Sequence, residues 1–414
     1  MIQKIALVVI ILTVSCLFLF PSTSKAEISL SGTVTPGQSI QEAINNASEG
    51  ETIHIQSGTY QTGGYPIIVN KSVTLMGENV ETTIIDGSEV ATHVFLVIVD
   101  GVKIENLTVR NTTTIGGSGI CVGNVRNVEV SSCIIEQCCD GIELKNSTYC
   151  KITRNQIVDN YYNGIYLHVN SSRNLIVGNT IMNNTVGVNI DYPCQDNVFY
   201  HNNFVSNEKQ QDGLGRTANN WNSTYPFGGN YWGDYTGIDM YSGVYQNENC
   251  SDGIVDAPYT IYEACKDFYP LMAPVHFFDA GEWNGKSYCV ILATKSNVSS
   301  FHFNLNDPPF IMFNFTDSDI NSSYRVSIPR QLLWVNSSSD WRVLVNSQQV
   351  AVNFTETDEN YTYLFFTCNS EVTSVTIIGT GVIPEFTQYT FLFTLLVATL
   401  LAMLLAKAAR SRSK

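Results

Sequence analysis

Between Gly119 and Ile190 the chain repeats one four-residue phrase: Gly119-Ile120-Cys121-Val122, Gly141-Ile142-Glu143-Leu144, Gly164-Ile165-Tyr166-Leu167 and Gly187-Val188-Asn189-Ile190. The return distance of about 22 to 23 residues lies in the range of stacked solenoid units. In each phrase the first and third residues after glycine are apolar and the middle one varies freely, the period of two of a strand with one buried face. A second series keeps step: Ile134, Ile157, Ile181 and Phe204 each follow by two residues a polar Ser132, Asn155, Asn179 or Asn202. The short strands are therefore rungs and the polar residues corners.

This rhythm predicts an all-β parallel β-helix over residues 27–212, with about seven coils between residues 52 and 210 and like side chains stacked about 4.8 Å apart. Asn columns at the corners either satisfy backbone groups or face ligand, and the structural role is preferred. Tyr161, Tyr162, Tyr166 and His168 cluster near one coil as a candidate sugar-stacking surface, against ordinary cross-strand packing. Ahead of the coils, Ser39 and Glu42 form a capping-box pattern, and Ile40, Ala43, Ile44 and Ala47 repeat at helical spacing before Gly50. That predicts an N-terminal capping helix over the first rung. Residues 213–274 lose the period and read as a C-terminal cap, because an open last rung recruits other chains. Residues 275–382 carry strand signals about 8 to 12 residues apart and predict a small antiparallel β-sandwich.

Residues 1–26 read as a signal peptide: Lys4, an apolar run from Ile5 to Phe20, then Pro21 and small Ser24 and Ala26. Residues 383–414 contain an apolar stretch of about 20 residues followed by Lys407, Arg410, Arg412 and Lys414, which predicts a transmembrane helix with a cytoplasmic basic tail. The bulk of the chain is then extracellular, anchored to the membrane by a single pass. Sequons at Asn70, Asn106, Asn111, Asn146, Asn170, Asn222, Asn297, Asn321 and Asn353 are glycosylation candidates, although a chain rich in Asn, Ser and Thr also makes them by chance. A net charge of −15 argues against nucleic acid as a partner. Removing Cys16 with the signal leaves ten of eleven cysteines, an even set that suits an oxidising exterior. Cys250 with Cys265, and Cys289 with Cys368, are plausible disulfide couples. Cys121, Cys133, Cys138, Cys139, Cys150 and Cys194 are alternatively buried thiols of the stack.

The segment from Ser39 through Ser88, the Asn163-Gly164-Ile165-Tyr166-Leu167 type of coil, and the blocks Asn230-Tyr231-Trp232-Gly233-Asp234-Tyr235, Ser251 to Tyr259 and Phe268 to Met272 resemble NosD-like β-helix proteins of archaeal surfaces. These belong to the wider pectin-lyase-like superfamily, and the resemblance implies a right-handed helix with carbohydrate-binding and sugar-hydrolase relatives. Pro384-Glu385-Phe386 resembles a PEF-type sorting signal. The family name implies copper, which the residues disfavour: His54, His93, His168, His201, His276 and His302 are scattered, with no His-x-His and no Cys-x-x-Cys. Calcium suits Asp234, Asp239, Asp252 and Asp256 better, since relatives carry a Gly-Asp-Gly-Ile-x-Asp loop; turn-forming aspartates are the simpler reading.

No cofactor is required by these residues, and no catalytic residues are assigned. Asp140, Asp159 and Asp191 sit at turns, and the motifs of pectin-active and epimerase-like relatives are missing. The expected function is non-catalytic binding of glycans or envelope partners at the cell surface. The alternatives are a polysaccharide lyase or hydrolase and a structural envelope protein.

Overall fold

The computed structural model describes residues 32–87, 92–112, 115–318 and 320–383. The expected signal peptide, and the expected anchor beyond Ile383, lie outside the described residues. Among those described, no helix is long and apolar enough to cross a membrane. The described residues divide into two compact units, one of residues up to 198 with 205–219 and one of residues 199–204 with those from 220 onward.

In the first unit three parallel sheets run side by side as a β-helix of about eight turns. The first sheet stacks Thr33–Val34, Thr52–Ile55, Thr74–Gly77, Lys103–Glu105, Glu129–Ser131, Lys151–Thr153 and Leu175–Val177. The second stacks Ile67–Val69, Phe95–Val97, Ser118–Gly123, Asp140–Lys145, Asn163–His168, Val186–Ile190 and Lys209–Asp212. The third stacks Gly58–Gln61, Thr83–Asp86, Thr108–Arg110, Ile134–Glu136, Gln156–Val158 and Thr180–Met182. The stack begins earlier than the expected coils, because Thr33–Val34 already pairs with His54 and Ile55.

Register follows the repeated phrase. Ile120 pairs with Ile142, Ile142 with Ile165, and Ile165 with Val188, and all four are fully buried. The phrase glycine is a requirement of close approach: a Cβ at Gly141 would meet Gly164 O at 2.5 Å and Ile157 Cγ2 at 2.7 Å. Corner asparagines form internal columns. Asn160 Nδ2 donates to Asn184 Oδ1 and Asn184 Nδ2 to Asn207 Oδ1, each at 3.0 Å, and Asn174, Asn197 and Asn219 repeat the arrangement at 2.9 and 2.8 Å. These amides also serve backbone groups of the adjacent turn, as an interior without water demands. Cys133, Cys138 and Cys150 stand where the columns end, their N–H groups donating to Asn155, Asn160 and Asn174. They are buried thiols, with Cys133 and Cys138 pushed up to about 12 by burial.

The helix Ile40–Asn46 is N-capped by Ser39, whose Oγ accepts from Glu42 N at 3.2 Å, and buries Ile40 and Ile44. It touches Ile67–Val69, Thr33–Val34 and Thr52–Ile55.

In the second unit, two five-stranded antiparallel sheets share one apolar core. Val290, Val326, Leu364 and Phe366 come from one sheet, and Ile311, Phe313, Val343 and Ile377 from the other. The structure holds Cys250 and Cys368 as thiols, so neither expected couple is bonded. For Cys289 and Cys368 the reason is strand parity. Cys368 lies in the shared core with Tyr288 and Val290, whereas Cys289, between those two, projects to the opposite face of its strand. Cys250 Sγ instead meets Asn353 O at 3.2 Å.

The non-repeating blocks knit together around Asp267. Its carboxylate accepts from Asn230 N at 2.8 Å, Trp232 Nε1 at 2.9 Å and Tyr269 N at 3.0 Å. Trp232 stacks between Phe204 and Tyr259 at 4.4 and 4.1 Å. The blocks that carried the family resemblance are thus the core of this segment.

Candidate functional site

The middle residues of the repeated phrase, pointing away from the core, form a column on the outer face of the second sheet. Cys121 pairs with Glu143, Glu143 with Tyr166, Tyr166 with Asn189 and Asn189 with Asp212. One position over, Lys145 pairs with His168. Cross-strand neighbours and their diagonals lie within side-chain reach, so this face gathers a polar and aromatic cluster.

Glu143 is its hub. Oε1 lies 2.6 Å from His168 Nε2, and Oε2 accepts from Ser118 Oγ at 2.8 Å. Burial opposes its ionisation, but bonds from His168, Ser118 and Cys121, with His93 nearby, outweigh that and hold the carboxyl down at about 2. Glu143 is therefore a carboxylate at neutral pH. Asp140 moves the other way: burial raises it, although it accepts from Asn163 N at 3.1 Å and Asn163 Nδ2 at 2.6 Å. Two neighbouring carboxyls are thus pushed apart by their surroundings. Tyr166 stacks on His168 with ring centroids 4.4 Å apart and planes 13° from parallel, and its hydroxyl donates to Asp191 Oδ2 at 2.7 Å. Both rings are half-buried and fixed at their polar ends. Tyr161 and Tyr162 stand at 69% and 53% exposure and have no place in this network.

His93 joins from the turn below. Its Nδ1 accepts from Ser118 N at 3.1 Å and lies 3.9 Å from Glu143 Oε2. His93, Cys121 and Glu143 bring one nitrogen, one sulfur and one oxygen within 4.8 Å of one another. His93, Ser118, Cys121 and Glu143 were not singled out from the sequence as ligand residues. For Cys121 and Glu143 the signal was present, because a freely varying outward position inside a fixed phrase is where a solenoid places its chemistry. His93 lies outside any phrase and gave none.

The four aspartates expected to suit calcium serve backbone groups or a neighbouring hydroxyl. Asp239 accepts from Asp252 N at 3.0 Å and Gly253 N at 2.7 Å, and Asp252 from Ile254 N at 2.9 Å. Asp256 accepts from Met240 N and Tyr241 N at 3.0 Å, and Asp234 from the Tyr259 hydroxyl at 3.2 Å. Of the sequons, Asn70, Asn146, Asn170, Asn297, Asn321 and Asn353 are exposed. Asn106, Asn111 and Asn222 are half-buried, their amide nitrogens donating to Gly77 O, Asp86 Oδ2 and Ser223 O.

Residues 39–237 match the family described as periplasmic copper-binding protein (NosD). The chain carries a NosD-like β-helix. No curated protein matches the chain. Among solved structures it is similar to the catalytic domain of a GH87 alpha-1,3-glucanase, at 16% identity over 44% of this chain and 38% of that one, TM-score 0.32. It is also similar to a pectin methylesterase from Yersinia enterocolitica, at 14% identity over 45% of this chain and 71% of that one, TM-score 0.31. The periplasmic alginate epimerase AlgG matches at 20% identity over 42% of this chain and 40% of that one, TM-score 0.29. The chain thus spans well under two thirds of the glucanase and epimerase chains.

The family description implies copper. In this NosD-like chain the imidazole, thiol and carboxylate that meet at Glu143 fit a cation of borderline to soft character, whereas the all-oxygen aspartate loops do not.

Proposed function

We propose that this is an exported, membrane-anchored surface protein whose NosD-like β-helix binds neutral glycan chains along the outer face of its second sheet, without catalysis. The observation that carries the reading is the stacked Tyr166–His168 pair, held rigid by Asp191 and Glu143. Sugars place their apolar C–H faces on such rings and their hydroxyls on fixed carboxylates and amides, with little ordering cost when the site is preformed. Around the stacked pair Asp140, Glu143 and Asp191 outnumber Lys145, which favours neutral over uronic polymers, while Asp212 is paired with Lys209 and Arg216. In this reading the helix Ile40–Asn46 closes the first turn, the exposed sequons carry glycans, and the C-terminal segment holds the protein at the membrane. The test is a panel of neutral and acidic polysaccharides offered to the full chain with and without calcium. Binding of neutral chains, abolished by Tyr166→Ala, supports the reading; no binding under either condition leaves a structural envelope role.

A second reading rests on the divergence of Asp140, raised by burial, and Glu143, held ionised by its partners, since neighbouring carboxyls pushed apart in this way are what glycoside hydrolysis uses. Release of reducing ends from a bound polysaccharide, lost in Asp140→Asn, would establish it.

A further inference from the structure

We propose that His93, Cys121 and Glu143 form a binding site for a d10 cation, Zn2+ or Cu+. Their donor atoms come from three successive stretches of the second-sheet side of the helix and lie within 4.8 Å of one another. Ligands around a tetrahedral ion sit about 3.3 to 3.8 Å apart, given metal–ligand bonds of about 2.0 to 2.3 Å. His93 Nδ1 and Glu143 Oε2, at 3.9 Å, are already close to that separation. The side chains of His93 and Glu143 are 18% and 11% exposed, which opens the cluster to an ion from the outer face.

The chemistry of the donors selects the ion. A thiol and an imidazole with one carboxylate favour Zn2+ or Cu+ over Ca2+ or Mg2+, which take oxygen ligands, and a filled d shell imposes no geometry of its own. His93 Nδ1 accepts the Ser118 N–H at 3.1 Å, so this nitrogen carries no proton, and metal binding through it exchanges that hydrogen bond for the bond to the ion. The supporting shell is also present. His168 Nε2 and Ser118 Oγ hold the two oxygens of Glu143, as outer partners orient a metal-binding carboxylate. Binding replaces the Cys121 S–H proton with the ion, so one proton leaves to solvent for each ion bound.

This site does not depend on glycan recognition, although Glu143 belongs to both. The experiment loads the full-length reduced protein with Zn2+, or with Cu+ under anaerobic conditions. Free ion is then removed and bound metal counted by mass spectrometry, with Co2+ as a spectroscopic probe of thiolate ligation. The expected result is one ion per chain and a sulfur-to-cobalt charge-transfer band in the wild type. Both fall about tenfold or more in Cys121→Ser and in His93→Ala, and both persist in Cys250→Ser. Should Cys121→Ser fail to fold by circular dichroism, His93→Ala carries the test through a partly exposed residue. A folded wild type that retains no stoichiometric ion, full retention in His93→Ala, or equal loss in Cys250→Ser overturns the site.

Discussion

The corner columns and the outer column of the β-helix are built by the same stacking yet use residues in opposite ways. At the corner, Asn174, Asn197 and Asn219 repeat one residue type on successive turns, and each amide is spent on its neighbours. On the outer face, Cys121, Glu143, Tyr166, Asn189 and Asp212 occupy one register position with five different side chains. A uniform column satisfies the fold, because identical groups one rung apart complete each other. A varied column cannot complete itself in that way, and its groups take partners from neighbouring positions on the outer face, as Glu143 does with His168 and Ser118.

The largest expected effect lies at the corner. Asn174→Ala removes the acceptor of Cys150 N and the donor to Ser147 O, both inside the stack, and each orphaned group costs about 1 to 3 kcal/mol. Urea unfolding measures it; a loss under about 0.5 kcal/mol would erase the distinction between the columns. A smaller loss, about 0.5 to 1.5 kcal/mol, is expected for Ile142→Val in the buried column, by the same measurement.

Glu143→Gln sharpens the comparison through pH. The folded-state carboxyl is depressed to about 2 from an ordinary value of 4.5, so its contribution to stability is present above about 4.5 and is lost as the pH falls towards 2. Unfolding midpoints measured between pH 7 and pH 2 should show that acid-side step in the wild type and lack it in the variant. An identical pH profile would mean that His168 and Ser118 do not hold the carboxylate. Least affected is Tyr161→Ala, whose ring is 69% exposed: stability within about 0.5 kcal/mol of wild type by urea unfolding.

The stack was legible because its signal is repeated: Ile120, Ile142, Ile165 and Val188 fall on one register, as their spacing implies. Ser39 was legible as a helix cap because its partner is three residues away. Of the expected ligand patch, Tyr166 and His168 come together, whereas Tyr161 and Tyr162 stand apart in the exposed approach to the strand. What escaped was set by relations between turns. Scattered histidines argued against a soft metal, yet stacking brings His93 to Cys121 and Glu143 across long stretches of chain. The Cys289–Cys368 couple looks plausible until the strands show which face each residue occupies.

Equilibrium binding of neutral polysaccharides to the folded wild type and to Tyr166→Ala tests most directly whether the varied outer column is where this protein meets its ligands. Saturable binding is expected, weakening by about tenfold or more in the variant while both proteins remain folded. Equal affinity of the two proteins, or no binding by the wild type, would contradict it.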